Sequence, residues 1–83
     1  MDPDAPRLYV QDGCADSARV RAWLTDHDVP FVECNASTDV GAARELAATG
    51  IFATPLLVAG THRVLGYRPE AIRSALTAER TAT

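Results

Sequence analysis

The sequence predicts an α/β domain, a four-stranded mixed sheet with helices on both faces. Three observations carry that expectation. Four short apolar runs of strand length are bounded by turn residues, three segments show helical periodicity, and the order is strand, helix, strand, helix, strand, strand, helix. The 83 residues make a single domain over 1–83, with an ordered core expected over about 6–79. A chain of this size buries roughly 60 to 65% of its unfolded surface, so modest stability is expected.

Arg7-Leu8-Tyr9-Val10 is a compact apolar run ended by Gln11-Asp12-Gly13, and it reads as a buried strand. From Cys14 the period changes. Val20, Trp23, Leu24 and His27 recur at i, i+3, i+4 and i+7, with Arg19, Arg21, Thr25 and Asp26 opposite, which predicts a helix over about 15–27 with Pro30 marking its exit. Phe31-Val32-Glu33-Cys34 reads as the second strand. Ser37-Thr38-Asp39 are helix-capping residues ahead of Val40, Ala43, Leu46 and Ala47, and Gly50 closes that helix as a left-handed cap. Leu56-Leu57-Val58-Ala59 and Arg63-Val64-Leu65 flank Gly60-Thr61-His62, a three-residue connection suited to an antiparallel hairpin. Pro69 fits the first turn of a last helix, which puts Ile72, Ala75 and Leu76 on one face and frays at Arg80-Thr81-Ala82-Thr83. This order implies two parallel right-handed crossovers, then a hairpin and a covering helix. Tyr9 and Trp23 are expected in the core.

Hydrophobic residues make up 47% of the chain and charged ones 23%, a globular composition. No apolar stretch is long enough to span a bilayer, and the start, Met1-Asp2-Pro3-Asp4, is acidic where a secretory signal is basic and then apolar. A cytoplasmic protein with no membrane partner is expected. Residues 1–39 hold eight acids and three arginines, residues 40–83 three acids and five arginines. The basic half suits a small anionic ligand but lacks the clustered stripe of a nucleic-acid binder, so nucleic acid is not an expected partner. All basic residues are arginine and alanine is abundant, a composition of GC-rich bacterial genes. His27 and His62 stand apart from both cysteines without ligand spacing, so no metal is expected.

Cys14 stands where the first strand hands over to the first helix. Unpaired amides and the positive end of the helix dipole stabilise a thiolate there, lowering a thiol pKa from about 8.5 towards roughly 3.5 to 7.5 in favourable cases. Ser17 follows one turn later, within reach of the sulfur, so the motif is Cys14-Ala15-Asp16-Ser17.

With Thr54-Pro55 before the third strand and Gly66-Tyr67-Arg68-Pro69-Glu70 before the last helix, this Cys-x-x-Ser motif resembles the glutaredoxin family of thioredoxin fold. Within it the chain is most similar to the NrdH-type redoxins, over roughly residues 7–78. The resemblance implies a thiol–disulfide oxidoreductase in which Cys14 is the nucleophile and Ser17 steadies its thiolate. Gln11, Thr54, Pro55, Gly66, Tyr67 and Arg68 would form the substrate groove, with Pro55 cis and facing the thiol. Tyr67 has a second reading as core edge and Arg68 as a surface arginine. No tightly bound cofactor is implied; glutathione or another low-molecular-weight thiol would be the co-substrate, and a disulfide-containing or thiolated protein the partner.

The chain departs from that pattern in two ways. Ser17 replaces the second cysteine, which excludes a disulfide within the motif and leaves monothiol chemistry. Asp12 and Asp16 flank the nucleophile where the family favours a basic or aromatic residue, and two carboxylates are expected to oppose thiolate formation. The rival reading follows from them: a redox-silent thioredoxin-fold module that binds a protein partner or a thiol ligand. Cys34 also has two readings, a buried small hydrophobe or a resolving thiol reaching Cys14 from the end of the second strand. Cluster-bridging relatives resemble Cys-Gly-Phe-Ser with a nearby lysine, and this chain has no lysine.

Overall fold

A computed structural model of the chain describes residues 5–81. Its elements are β1 (Arg7–Val10), α1 (Ala15–Asp26), β2 (Val32–Asn35), α2 (Val40–Ala48), β3 (Leu56–Ala59), β4 (His62–Leu65) and α3 (Pro69–Thr81). The strands form one mixed sheet in the order β2-β1-β3-β4, the arrangement of a thioredoxin-like fold. β1 and β2 are parallel across the α1 crossover, with Tyr9 beside Cys34.

The second crossover is not parallel as the order of elements implied. β3 runs antiparallel to β1, pairing Leu56 with Tyr9, because residues 49–55 carry the chain from α2 back to the sheet end where β1 finishes. The hairpin is also tighter than expected. His62 belongs to β4 and pairs with Ala59, leaving Gly60-Thr61 as a two-residue loop. Gly60, φ 61, supplies the positive φ that a type II′ turn needs at its first position.

Strand alternation sorts side chains into two layers. Leu8, Val10, Leu57 and Val64 face α1 and α3, where they bury Val20, Leu24, Ile72 and Ala75. Tyr9, Cys34 and Leu56 face α2 and bury Ala42 and Leu46. The buried stripe of this nine-residue helix is therefore Ala42 and Leu46, and Val40, expected on the apolar face, is 68% exposed. Asp39 caps α2, accepting from the Gly41 amide at 2.9 Å. Arg7 Nη2 and Tyr9 Oη both donate to Glu45, at 2.8 and 2.9 Å, fastening α2 to β1. Trp23 lies at the rim of the core, stacked on His27 at 3.9 Å, so His27 is an exposed cap residue and not part of the apolar stripe. The helical backbone of α3 persists through Thr81, beyond the expected fraying point, and of the loose ends expected at residues 1–6 and beyond about 79, residues 1–4 and 82–83 lie outside the described residues.

α1 ends in a Schellman motif. The Asp28 amide donates to Thr25 O at 3.1 Å and the Val29 amide to Leu24 O at 2.9 Å, with Asp28 at φ 54. A side chain in that conformation carries a steric cost that glycine avoids. Asp28→Gly is expected to raise stability by roughly 0.5–1 kcal/mol, read as a higher midpoint in urea unfolding at unchanged slope.

Candidate active site around Cys14

Cys14 is the N-cap of α1 (φ −91, ψ 109), its amide donating to Gln11 O at 3.4 Å and its carbonyl accepting from Ala18. The helix begins here because Gln11-Asp12-Gly13 turns the chain off the end of β1. The sulfur is partly exposed at the mouth of a cleft of about 390 Å³ lined by Gln11, Asp12, Ser17, Arg21 and Asn35 among others. Depressions elsewhere on the surface, at the start of α2 and beside Trp23 and Arg73, contain no cysteine.

The Cys14 thiol is held below its ordinary pKa. The Ser17 hydroxyl is the largest cause, followed by the Ser17 amide; burial pulls the other way, and Thr54 and the Asp16 amide add to the lowering. These are the groups that a sulfur at the N-cap should meet, since the free amides of the first turn point towards it and favour its charged form. Ser17 Oγ is buried and closes no complete hydrogen bond around the neutral thiol.

The two carboxylates flanking Cys14 do not reverse this. Asp12 accepts from Asn35 Nδ2 at 2.9 Å and Asp16 pairs with Arg19 at 3.4 Å, so each negative charge has its own partner. The expected opposition to thiolate formation gives way to a net lowering.

Thr54 brings the start of β3 to the sulfur. The Thr54-Pro55 peptide is cis, and the Cys14 thiol donates to Thr54 O at 3.7 Å. Thr54 Oγ1 donates to Gln11 Oε1 at 3.2 Å, tying this segment to the turn before the cysteine. Pro55 is buried, and its carbonyl accepts from the Gly66 amide at 2.8 Å. Gly66, φ 84, lets the chain leave β4 in a conformation that other residues rarely adopt. Tyr67 and Arg68 follow with exposed side chains that make no hydrogen bond among the described residues, and the Arg68 carbonyl receives the Ile72 amide of α3 at 2.9 Å. Gln11, Cys14 and Thr54 are therefore joined directly, Gly66 is tied to them through Pro55, and Ser17 lies one turn below the sulfur, while Tyr67 and Arg68 are exposed beyond Gly66.

Cys34 is not gathered. Its side chain lies in the α2-facing layer, 6% exposed, with Sγ nearest Val32 O at 3.9 Å, and burial pushes its thiol up. Sequence reasoning passed over Asn35 and read Ser37 only as a helix-capping residue, yet both hold the cysteine turn from the β2 side: the Asp12 amide donates to Ser37 Oγ at 3.0 Å, and Asn35 Nδ2 to Asp12 Oδ1 at 2.9 Å. The Asn-x-Ser spacing suggests a local turn, and Ser37 N indeed donates to Asn35 Oδ1 at 2.8 Å. Nothing in the spacing shows the reach to Asp12. No group of three or more His, Cys, Asp or Glu converges as a metal site among the described residues, and no helix there is long and apolar enough to cross a membrane.

The geometry has counterparts among known proteins. A stretch of 28 residues is 46% identical to the global transcriptional regulator Spx of Bacillus subtilis, covering 34% of this chain and 21% of that protein, so the match spans about a fifth of the regulator. The thioredoxin-like protein BC3987 superposes with a TM-score of 0.80 at 24% identity, over 86% of this chain and 99% of that one. NrdH-redoxin from Escherichia coli, described as a glutaredoxin-like protein, gives 0.76 at 23% identity, over 84% and 92%. At such identities these two structures establish the fold. The glutaredoxin family model matches residues 7–64, from the first residue of β1 into β4 and across the cysteine motif and Thr54-Pro55, and the chain belongs to the glutaredoxin family.

Proposed function

We propose that this protein is a thiol–disulfide oxidoreductase working through Cys14 alone, with glutathione or another low-molecular-weight thiol as co-substrate. The observation that carries this reading is the Cys14 sulfur, partly exposed at a helix N-terminus and held below its ordinary pKa by Ser17. Ser17 stands where a second motif cysteine would close a disulfide, which favours a monothiol cycle.

In that cycle the Cys14 thiolate attacks the small-thiol sulfur of a protein mixed disulfide. The substrate S–S bond breaks, a bond forms from Cys14 Sγ to the small thiol, and the protein leaves as a thiolate that takes a proton from water. A second small thiol, deprotonated, attacks the adduct; the bond to Cys14 breaks, the two small thiols leave as their disulfide, and Cys14 returns as thiolate. The protein disulfide is reduced while one further thiol is oxidised. Thr54, whose carbonyl meets the thiol, borders the approach to the sulfur, and the exposed side chains of Tyr67 and Arg68 beyond Gly66 offer an aromatic surface and a cation to the incoming thiol or protein.

Cys34 has no part in the cycle, since a buried thiol raised in pKa on the α2 side is a weak nucleophile. The rival binding-module reading relied on Asp12 and Asp16 raising the Cys14 thiol, and the lowering favours the enzyme. Two free cysteines fit a reducing compartment such as the cytoplasm.

Incubation with oxidised glutathione, read by intact mass, is expected to give one glutathionyl adduct that a thiol reductant releases, and none in Cys14→Ser; an adduct that survives Cys14→Ser contradicts the reading. Ser17→Ala is expected to raise the Cys14 pKa by up to about one unit and to slow alkylation at pH 7 by as much as roughly tenfold. Ser17→Cys restores a dithiol motif, and a rise in reduction of a protein disulfide is the expected outcome; no rise counts against a competent substrate groove.

A further inference from the structure

We propose that Asn35 is a positioning residue of this site: its side-chain amide holds the Asp12 carboxylate against the turn after β2, so that a negative charge two residues before the nucleophile does not oppose thiolate formation. The proposal rests on the reading of Cys14 as the nucleophile and adds the residue that makes its acidic neighbour tolerable.

The sheet order decides the geometry. β1 lies between β2 and β3, and the loop leaving β1 is gripped from both sides. On the β3 side the Cys14 sulfur meets Thr54 O at 3.7 Å. On the β2 side Asn35 Nδ2 donates to Asp12 Oδ1 at 2.9 Å, and Asn35 Oδ1 accepts from the Ser37 amide at 2.8 Å, which fixes the Asn35 amide plane with its NH2 towards Asp12. The carboxylate thereby finds its partner on the β2 side of the loop and the sulfur on the β3 side. Asp12, Asn35 and Cys14 line the same cleft, so where the carboxylate is held matters to the sulfur.

The other charges near the nucleophile are engaged or distant in kind. Asp16 on α1 pairs with Arg19, and Arg21, which lines the cleft, pairs with Glu33 of β2. The turn between β4 and α3 carries Tyr67 and Arg68 with exposed side chains; β3 itself, Leu56–Ala59, has no titratable side chain. Asp12 is thus the acid whose placement a single neutral side chain controls. Ser37 Oγ holds the Asp12 amide at 3.0 Å through a bond that Asn35 does not itself make, so truncating Asn35 frees the carboxylate while leaving the Asp12 backbone this partner.

The test is a double-mutant cycle in a Cys34→Ala background, reading the pH dependence of Cys14 alkylation at a temperature where each variant keeps native circular dichroism. Asn35→Ala is expected to raise the Cys14 pKa by about 0.5–1 unit, and the rise should vanish when Asp12→Asn is also present. Asn35→Ser, too short to reach Asp12, gives the same comparison should Asn35→Ala not fold. No rise, or an equal rise with and without the Asp12 charge, overturns the proposal, since a purely structural role for Asn35 would not depend on that charge. The parent protein in the same series tests the reading beneath it separately: a Cys14 pKa at or above about 8.5 in the parent removes the nucleophile, whatever Asn35 does.

Discussion

The site depends on strand register carried past the ends of the strands. β1 and β3 pair so that Leu8 meets Leu57 and Tyr9 meets Leu56, and the same register continued by two residues sets Gln11 opposite Thr54, which are hydrogen-bonded through their side chains. β3 and β4 pair Leu56 with Leu65, and the next step brings Pro55 to Gly66, joined at 2.8 Å. β1 and β2 pair Val10 with Asn35, and two residues on Asp12 meets Ser37. A one-residue slip in any of these pairings would turn the buried layers inside out, so the two cores that fix the register also fix the site.

That constraint explains how modest local forces hold the Cys14 thiol below its ordinary pKa. The helix terminus supplies only partial charges, and the Ser17 hydroxyl one hydrogen bond, but both are held in place by a helix whose inner face is Val20 and Leu24. Ser17 is itself buried at the start of that face. Packing therefore keeps this hydroxyl within the first turn, where it is the largest cause lowering the Cys14 pKa.

Much of this was legible in the sequence, for identifiable reasons. Cys14 at a strand-to-helix junction and Ser17 one turn later follow from periodicity alone, and Thr54-Pro55 with Gly66-Tyr67-Arg68 stood out through the family resemblance. The direction of β3 was not legible, because nothing in the composition of residues 49–55 says that they return to the end of β1. The apolar face of α2 was misplaced by a residue or two, since in an alanine-rich helix of nine residues the period barely distinguishes Ala42 from Ala43. The influence of Asp12 was misjudged for a different reason. Charge can be read from a sequence, but the partner that fixes where it sits, here Asn35 from another strand, cannot.

The central claim is that folding itself lowers the Cys14 pKa, and one comparison tests it most directly. Cys14 alkylation would be titrated against pH in a Cys34→Ala protein, once folded and once in concentrated urea, so that the same thiol serves as its own reference. The account predicts a lower apparent pKa in the folded protein than in the unfolded chain. An equal or higher folded value would contradict it.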